Sequence, residues 1–189
     1  MTLRRLILIR HGQYEEEDGG TYDLTPLGRR QAEKARRYVE GRNVDRIVSS
    51  SMVRARTTAG IIAKGRSITT TKLLAECLPT AVPGYLAEPS ELRENRARLD
   101  LAYEKFVKPS KKKRTDVLVC HGNVIRYFVC KAIGAPIASW IRLGIHHCSV
   151  TEIVVRADGR MALLSYNETG HLPKKMRTMS AAVKALKSR

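Results

Sequence analysis

Two short apolar runs in this chain end in the same way, and that echo constrains the fold more than any other feature. Leu6-Ile7-Leu8-Ile9 continues into Arg10-His11-Gly12, and Val117-Leu118-Val119 continues through Cys120 into His121-Gly122-Asn123. Uninterrupted apolar runs of this length suit strands covered on both faces, as in a parallel α/β sheet. The sequence between them reads as helices and further strands. Thr25-Pro26 sets a capping hydroxyl before a proline at the first helical position. The helix it opens runs to about residue 40, with Leu27, Gln31, Ala35, Tyr38 and Val39 on one face and Gly41 at its end. Residues 45–49 read as a second strand. Ser50 or Ser51 then caps a helix with Ala55, Thr58, Ala59 and Ile62 at core spacing. Residues 67–72 are β-branched and suit a third strand.

Pro79, Pro83, Gly84 and Pro89 mark residues 77–89 as loop. Ser90 caps a charged helix whose buried stripe is Leu92, Leu99, Tyr103 and Phe106, and a basic connector covers 108–114. Ile125, Phe128, Val129 and Ala132 mark a helix after the second His-Gly. Strands over 149–156 and 160–165 flank Asp158-Gly159, a hairpin signal. The order β-α-β-α-β-α-β-α-β-β predicts a three-layer α/β/α sandwich around a mostly parallel sheet. Such sheets bind ligands at the carboxyl ends of their strands, where strand order reverses. His11 and His121 both fall at such ends, so the two imidazoles share one site if their strands are neighbours.

With 189 residues, 43% of them hydrophobic and spread along the length, the chain suits one domain over 1–189, with a basic surface tail and a short helix from 173 to 189. No apolar run approaches the ~20 residues that span a bilayer, so no transmembrane segment is expected. No secretory signal opens the sequence, and a targeting segment is either absent or lies outside it. Cys77, Cys120, Cys130 and Cys148 form no C-x-x-C pair and no zinc spacing, which suits free thiols in a reducing, intracellular compartment. The 35 Lys plus Arg against 18 Asp plus Glu leave a formal charge of +17. That field would steer an anionic substrate, or hold the chain on nucleic acid or an acidic membrane, and charge alone does not choose. Aromatic residues are only 5% of the chain, and Tyr14, Tyr22 and Tyr127 are not spaced as a stacking platform, so nucleic acid is disfavoured. Glycine-rich nucleotide-binding loops are missing too.

Phosphoryl transfer to nitrogen needs an uncharged imidazole, a cationic cradle for three oxygens and a proton for the leaving group. His11 is the candidate nucleophile. Arg10 precedes it, Arg54 lies in the first turn of a helix opened by serines, and a guanidinium grips two phosphoryl oxygens at once. Amides at the start of the helix after His121 add a further anion site. Glu76, just before the proline-rich loop, is placed to donate the proton and later to activate water. Each piece alone has a blander explanation: a structural histidine, a plain cap, a solvated arginine, a surface carboxylate. Their convergence on one sheet edge is what raises the odds.

The ordered motifs go further. Leu-Ile-Arg-His-Gly at 8–12, Leu-Thr-Pro-Leu-Gly-x-x-Gln-Ala at 24–32, Ser-Ser-x-x-x-Arg-Ala-x-x-Thr at 50–58 and Cys-His-Gly-Asn-Val-Ile-Arg-Tyr at 120–127 resemble the histidine phosphatase, or phosphoglycerate mutase-like, superfamily. The resemblance covers nearly the whole chain. It implies His11 as the phosphohistidine nucleophile and Glu76 as acid and then base. It implies Arg10, Arg54, His121, Gly12 and Asn123 as phosphate-binding residues, with His121 counted among the catalytic groups as well, and no metal or other cofactor. It further implies a phosphatase for phosphoserine and phosphothreonine proteins; the basic charge would favour acidic substrates, and a homodimer or larger homo-oligomer is expected. The compartment is mitochondrial by that resemblance, or cytoplasmic. Two alternatives stay open: a small-metabolite phosphatase or mutase, and a polyanion-binding scaffold with weak catalysis. His146 and His147, as strand neighbours, point to opposite faces and suit one cleft-lining and one structural role rather than a shared ion. His171 either approaches the site through the C-terminal tail or, as the blander reading has it, is a surface residue.

Overall fold

The computed structural model describes residues 3–15, 22–82, 84 and 86–179. Strand β1 (Leu3–Arg10) is followed by helix α1 (Pro26–Glu40), β2 (Arg46–Ser50), α2 (Val53–Ala63) and β3 (Ile68–Thr71). A 3-10 turn (Lys72–Leu74) leads to α3 (Pro89–Phe106), β4 (Arg114–Cys120) and α4 (Gly122–Ala132). A second 3-10 turn (Ile137–Arg142), β5 (Val150–Arg156), β6 (Met161–Glu168) and a third turn (Lys174–Met176) complete the described chain. The six strands form one sheet in the order β3-β2-β4-β1-β5-β6. The first four are mutually parallel, while β5 pairs antiparallel to both β1 and β6. The expected mixed α/β architecture is therefore present, with β1 and β4 side by side.

The apolar runs alternate between two cores, as strand pleating requires. Leu6, Leu8, Val48 and Leu118 face α3 and α4, packing with Leu99, Phe106, Ile125 and Phe128. Ile7, Ile9, Ile47, Val117 and Val119 face α1 and α2, packing with Ala32, Ala35, Ala55 and Ala59. Each strand is thus covered on both sides, which is why its run is continuous. Thr25 Oγ1 accepts the Gly28 amide at 2.9 Å and Pro26 opens α1, as the sequence predicts.

Several local expectations differ. The cap of α2 is Met52, with no side-chain hydrogen bond, because Ser50 still belongs to β2 and its hydroxyl faces His121. Helix α3 starts at Pro89 with Glu88 at the cap, so Ser90 sits inside its first turn. Its buried stripe is Leu99, Ala102, Tyr103 and Phe106, with Leu92 only half-buried. Gly41 ends α1 at an ordinary φ of −77°; the left-handed cap falls instead on Lys64, φ 49°, after α2. The hairpin closes as expected: Gly159 takes φ 84°, and the Arg156 amide donates to Arg160 O at 2.8 Å. The expected surface tail packs inward at its start. Met176 is buried, and Gln31 Nε2 donates to Met176 O at 2.7 Å and to Thr178 Oγ1 at 2.8 Å. Residues 180–189 of that tail lie outside the described residues. All four cysteines are free thiols, and no described helix is long and apolar enough to cross a membrane.

Candidate active site

The site follows from one register. Arg10 pairs with Cys120 across β1 and β4, and the His11 amide donates to Cys120 O at 2.9 Å. His11 and His121 therefore leave the sheet together, with ring centroids 5.0 Å apart. Both are essentially sealed from solvent, at 1% and 0% exposure.

The surroundings of His11 specify its tautomer. Its Nδ1 lies 2.8 Å from Gly12 O, an acceptor, so Nδ1 carries the proton and Nε2 is left bare. Arg54 Nε approaches that bare nitrogen at 3.3 Å. Burial holds the imidazole well below its usual pKa, and the neighbouring His121, Arg10, His147 and Arg54 push the same way. The ring is consequently neutral, the form that can attack phosphorus.

Gly12 has a different part from the expected phosphate ligand. Its amide donates to Thr58 Oγ1 at 3.0 Å and its carbonyl holds His11, so neither backbone group is free for an anion. A Cβ at this position would lie 2.6 Å from Gly28 O, so only glycine lets this turn approach α1 so closely.

Two guanidinium groups flank the imidazole. Arg10 is fixed by donation from Nη1 to Ile145 O at 2.8 Å; its Nε is buried with no partner among the described residues. Burial lowers its pKa to about 10, leaving it cationic at neutral pH. Arg54 lies 4.5 Å over the Tyr14 ring. His121 Nε2 meets Ser50 Oγ at 2.8 Å, and its buried Nδ1 has no hydrogen-bond partner among the described residues, lying 3.9 Å from Glu76 Oε2.

Glu76 reaches this pocket from the extended segment after the first 3-10 turn. Arg98 ties that segment to α3 by donating to Lys72 O and Ala75 O, at 3.1 and 2.8 Å. Glu76 Oε1 accepts the Asn123 amide at the start of α4 at 3.2 Å. Its side chain keeps 27% exposure, so the carboxyl sits at the rim where a leaving group would depart. Burial raises its pKa, against the opposing pull of Arg10, Arg54, the Asn123 amide and Arg126. Asn123 itself is engaged on both sides, donating to Cys77 O and accepting from Arg126.

The structure thus gathers Arg10, His11, Arg54, Glu76, His121 and Asn123 at one sheet edge. It also divides His146 and His147 into one cleft-lining and one structural residue, as the sequence predicts. His147 lines the cleft, its ring 5.6 Å from His11, and Thr178 holds it through Nδ1 at 2.9 Å. Burial and Arg10 depress its pKa to about 2. His146 turns away to Asn167. His171 is not the expected surface residue: it is half-buried against Cys148 O at 2.9 Å. Ser50 and Thr58 are the first and last residues of the serine-arginine motif, whereas Thr178 carries no signal in the sequence beyond its polarity.

One nitrogen or oxygen from each of His11, Glu76 and His121 lies within 4.8 Å of the others, a spacing one metal ion could bridge. Arg10 and Arg54 beside the imidazoles make the pocket a better host for an anion than for a divalent cation.

A family model of the histidine phosphatase superfamily (branch 1) matches residues 6–169. The mouse protein "Serine/threonine-protein phosphatase PGAM5, mitochondrial" is 37% identical over 185 residues, covering 90% of this chain. The chain spans 64% of the length of that relative. A phosphoglycerate mutase structure from Plasmodium falciparum is 29% identical, with a TM-score of 0.65 over 92% of this chain and 96% of its own. Bacillus stearothermophilus YhfR, 21% identical, shares the fold with a TM-score of 0.72 over 90% of this chain and 100% of its own.

Proposed function

The chain belongs to the histidine phosphatase superfamily, branch 1, and on that premise we propose a metal-independent phosphatase that passes a phosphoryl group through His11 to water. The observation that carries this reading is the neutral imidazole of His11, with Nδ1 engaged by Gly12 O and Nε2 facing Arg54. An incoming phosphoryl group displaces the long Arg54 contact and takes up the guanidinium donors of Arg54 and Arg10. His121 supplies a third donor to its oxygens.

In the first step the Nε2 lone pair forms the N–P bond as the ester P–O bond breaks. The departing oxygen takes the carboxyl proton of Glu76 and leaves as an alcohol. In the second step Glu76 takes a proton from water, whose oxygen bonds phosphorus as the N–P bond breaks, releasing inorganic phosphate and restoring His11. The raised pKa of Glu76 supports the first role, because a carboxyl retained in its acid form nearer neutrality is a better donor. Burial of both histidines keeps competing water out of the pocket.

The substrates we assign are phosphoserine and phosphothreonine proteins, by likeness to the mouse relative, with acidic sequences favoured by the +17 charge. A mitochondrial location and a homo-oligomeric state complete the proposal, the first from the same likeness. The likeness to the Plasmodium phosphoglycerate mutase supports a second reading, a small phosphorylated metabolite as substrate.

The deciding experiment measures phosphate release from phosphoserine and phosphothreonine peptides and from 3-phosphoglycerate, in EDTA, for the wild-type protein and His11→Ala. Peptide turnover that survives EDTA and disappears in the variant supports the proposal. Turnover of 3-phosphoglycerate alone selects the second reading, and activity retained in His11→Ala defeats both.

A further inference from the structure

A second concentration of positive charge, which the phosphatase reading leaves unused, lies at the opposite pole of the sheet. There, where β1 and β4 begin, a cavity of about 490 Å³ is walled by Arg5, Arg42, Lys113 and Arg114. Asn43, Asp45 and Thr115 contribute its neutral and acidic edge. Arg5 and His11 are separated along β1 by a strand rise of about 20 Å, so the cavity is remote from the nucleophile.

Two buried carboxylates organise this pole. Glu152 binds Arg5 through Oε2 and Arg42 through Oε1, and its Oε1 also accepts the Tyr38 hydroxyl at 2.7 Å. Asp116 binds Arg4 at 2.6 Å, Arg114 at 2.9 Å and Arg46 at 3.3 Å. The guanidinium planes are thereby oriented before any ligand arrives. Lys113 has no hydrogen bond or ion pair among the described residues and is exposed. Six cations stand against the carboxylates of Glu152, Asp116 and Asp45, so the pole keeps a surplus of positive charge. That surplus works against folding by self-repulsion and goes unneutralised within the described chain.

We propose that this cavity binds a small polyanion carrying two or more phosphoryl groups on a hydroxylated carrier. Arginine forks suit phosphoryl oxygens, and Lys113 adds a mobile point charge. Asp45 would repel a bare phosphate, but its carboxylate can accept from a carrier hydroxyl. One Asp45 oxygen, Oδ2, already takes the Thr115 amide at 2.8 Å, which holds the group at the edge. The volume falls in the range of small-molecule sites, and a concave cradle suits such a ligand better than a flat polymer or membrane surface. The site does not depend on the phosphatase assignment.

The test is titration calorimetry with adenosine triphosphate at low salt in EDTA, with inorganic triphosphate as the carrier-free control. Wild type and His11→Ala should bind the nucleotide equally, and the control more weakly. Lys113→Glu, an exposed residue with no bonds to lose, should weaken binding about ten-fold or more while leaving phosphate release unchanged. Arg42→Gln should weaken it similarly. Undiminished binding in both variants overturns the site. Binding lost in His11→Ala but kept in Lys113→Glu places the anion in the catalytic cleft and overturns it equally. Control binding as tight as that of the nucleotide removes the hydroxylated carrier.

Discussion

Mild acid should unfold this protein through its own active site. His11, His121 and His147 are sealed at 1%, 0% and 4% exposure, and burial depresses the pKa of each. In the unfolded chain the same imidazoles titrate near the ordinary histidine value of about 6.5. As pH falls below that value the unfolded state binds protons that the folded state refuses, so stability present above pH 6.5 is lost below it. Each imidazole that stays neutral in the fold costs about 2 kcal/mol between pH 7 and pH 5, and the three together about 6 kcal/mol. Glu76 opposes them: its raised folded pKa means that the native state gains a proton more readily than the unfolded chain as pH falls. Glu76 offsets part of that sum, so the net loss lies below about 6 kcal/mol and is still a large share of the stability of a typical domain. Urea unfolding at pH 7, 6 and 5 reads this directly, and His147→Gln should remove about a third of the proton uptake on unfolding. Stability that is flat from pH 7 to pH 5, or a slope untouched by His147→Gln, would refute the neutral-imidazole account on which the mechanism rests.

Other outcomes follow from the same geometry. Glu76→Gln keeps the Asn123 contact but removes the proton donor, and should lower kcat on phosphoserine peptides about 10²–10⁴-fold. With p-nitrophenyl phosphate, whose leaving group needs little protonation, the loss should be much smaller, and an equal loss on both substrates would rule out the acid role. Gly12→Ala sets a Cβ 2.6 Å from the Gly28 carbonyl, backbone against backbone, and should cost about 1–3 kcal/mol or more in thermal unfolding. Thr178→Val removes the partner of His147 Nδ1 and one acceptor for Gln31, and should lower stability by about 1–3 kcal/mol. Raising salt should reduce kcat/KM on acidic phosphopeptides while leaving kcat nearly unchanged, and an unchanged kcat/KM would remove the steering role of the +17 charge.

Much of the fold was legible because the central strands are buried on both faces. Leu6–Ile9 and Val117–Val119 have no polar alternation, and only a sheet covered twice explains that. Reading the serine cap failed for an instructive reason. A serine before an apolar helix normally satisfies amides of the first turn, but Ser50 lies in β2, where its hydroxyl meets the His121 imidazole at 2.8 Å and takes only the Met52 amide, at 3.3 Å, leaving Met52 at the cap position without a side-chain bond of its own. Local propensity gave way to the site. Gly12 was misjudged in a related way. Its place beside His11 suggests an anion ligand, whereas the distance to Gly28 O, invisible without tertiary structure, makes it a packing hinge that sets the His11 tautomer. Thr178 was unreadable because its role depends on a tail that folds back across α1, a contact between residues 147 positions apart.

The sheet order also explains why two weak local signals make one strong site. A His-Gly after a strand is commonplace, and either copy alone would have a structural explanation. Strand β4 enters between β1 and β2, so the reversal of strand order falls between the two histidine-bearing strands. Parallel pairing with Arg10 opposite Cys120 then makes the exits of β1 and β4 coincide. A register slip of one residue would turn His11 or His121 to the opposite face and separate the imidazoles. The register is held by Leu6, Leu8 and Leu118 on one face and Ile7, Ile9 and Val117 on the other, so hydrophobic burial in the strands is what aims the catalytic nitrogen. Neutrality of the ring comes from the same burial, with the arginines adding to it. Core packing and nucleophile chemistry in this protein are therefore one constraint, which is why acid, by charging the imidazoles, should attack both together.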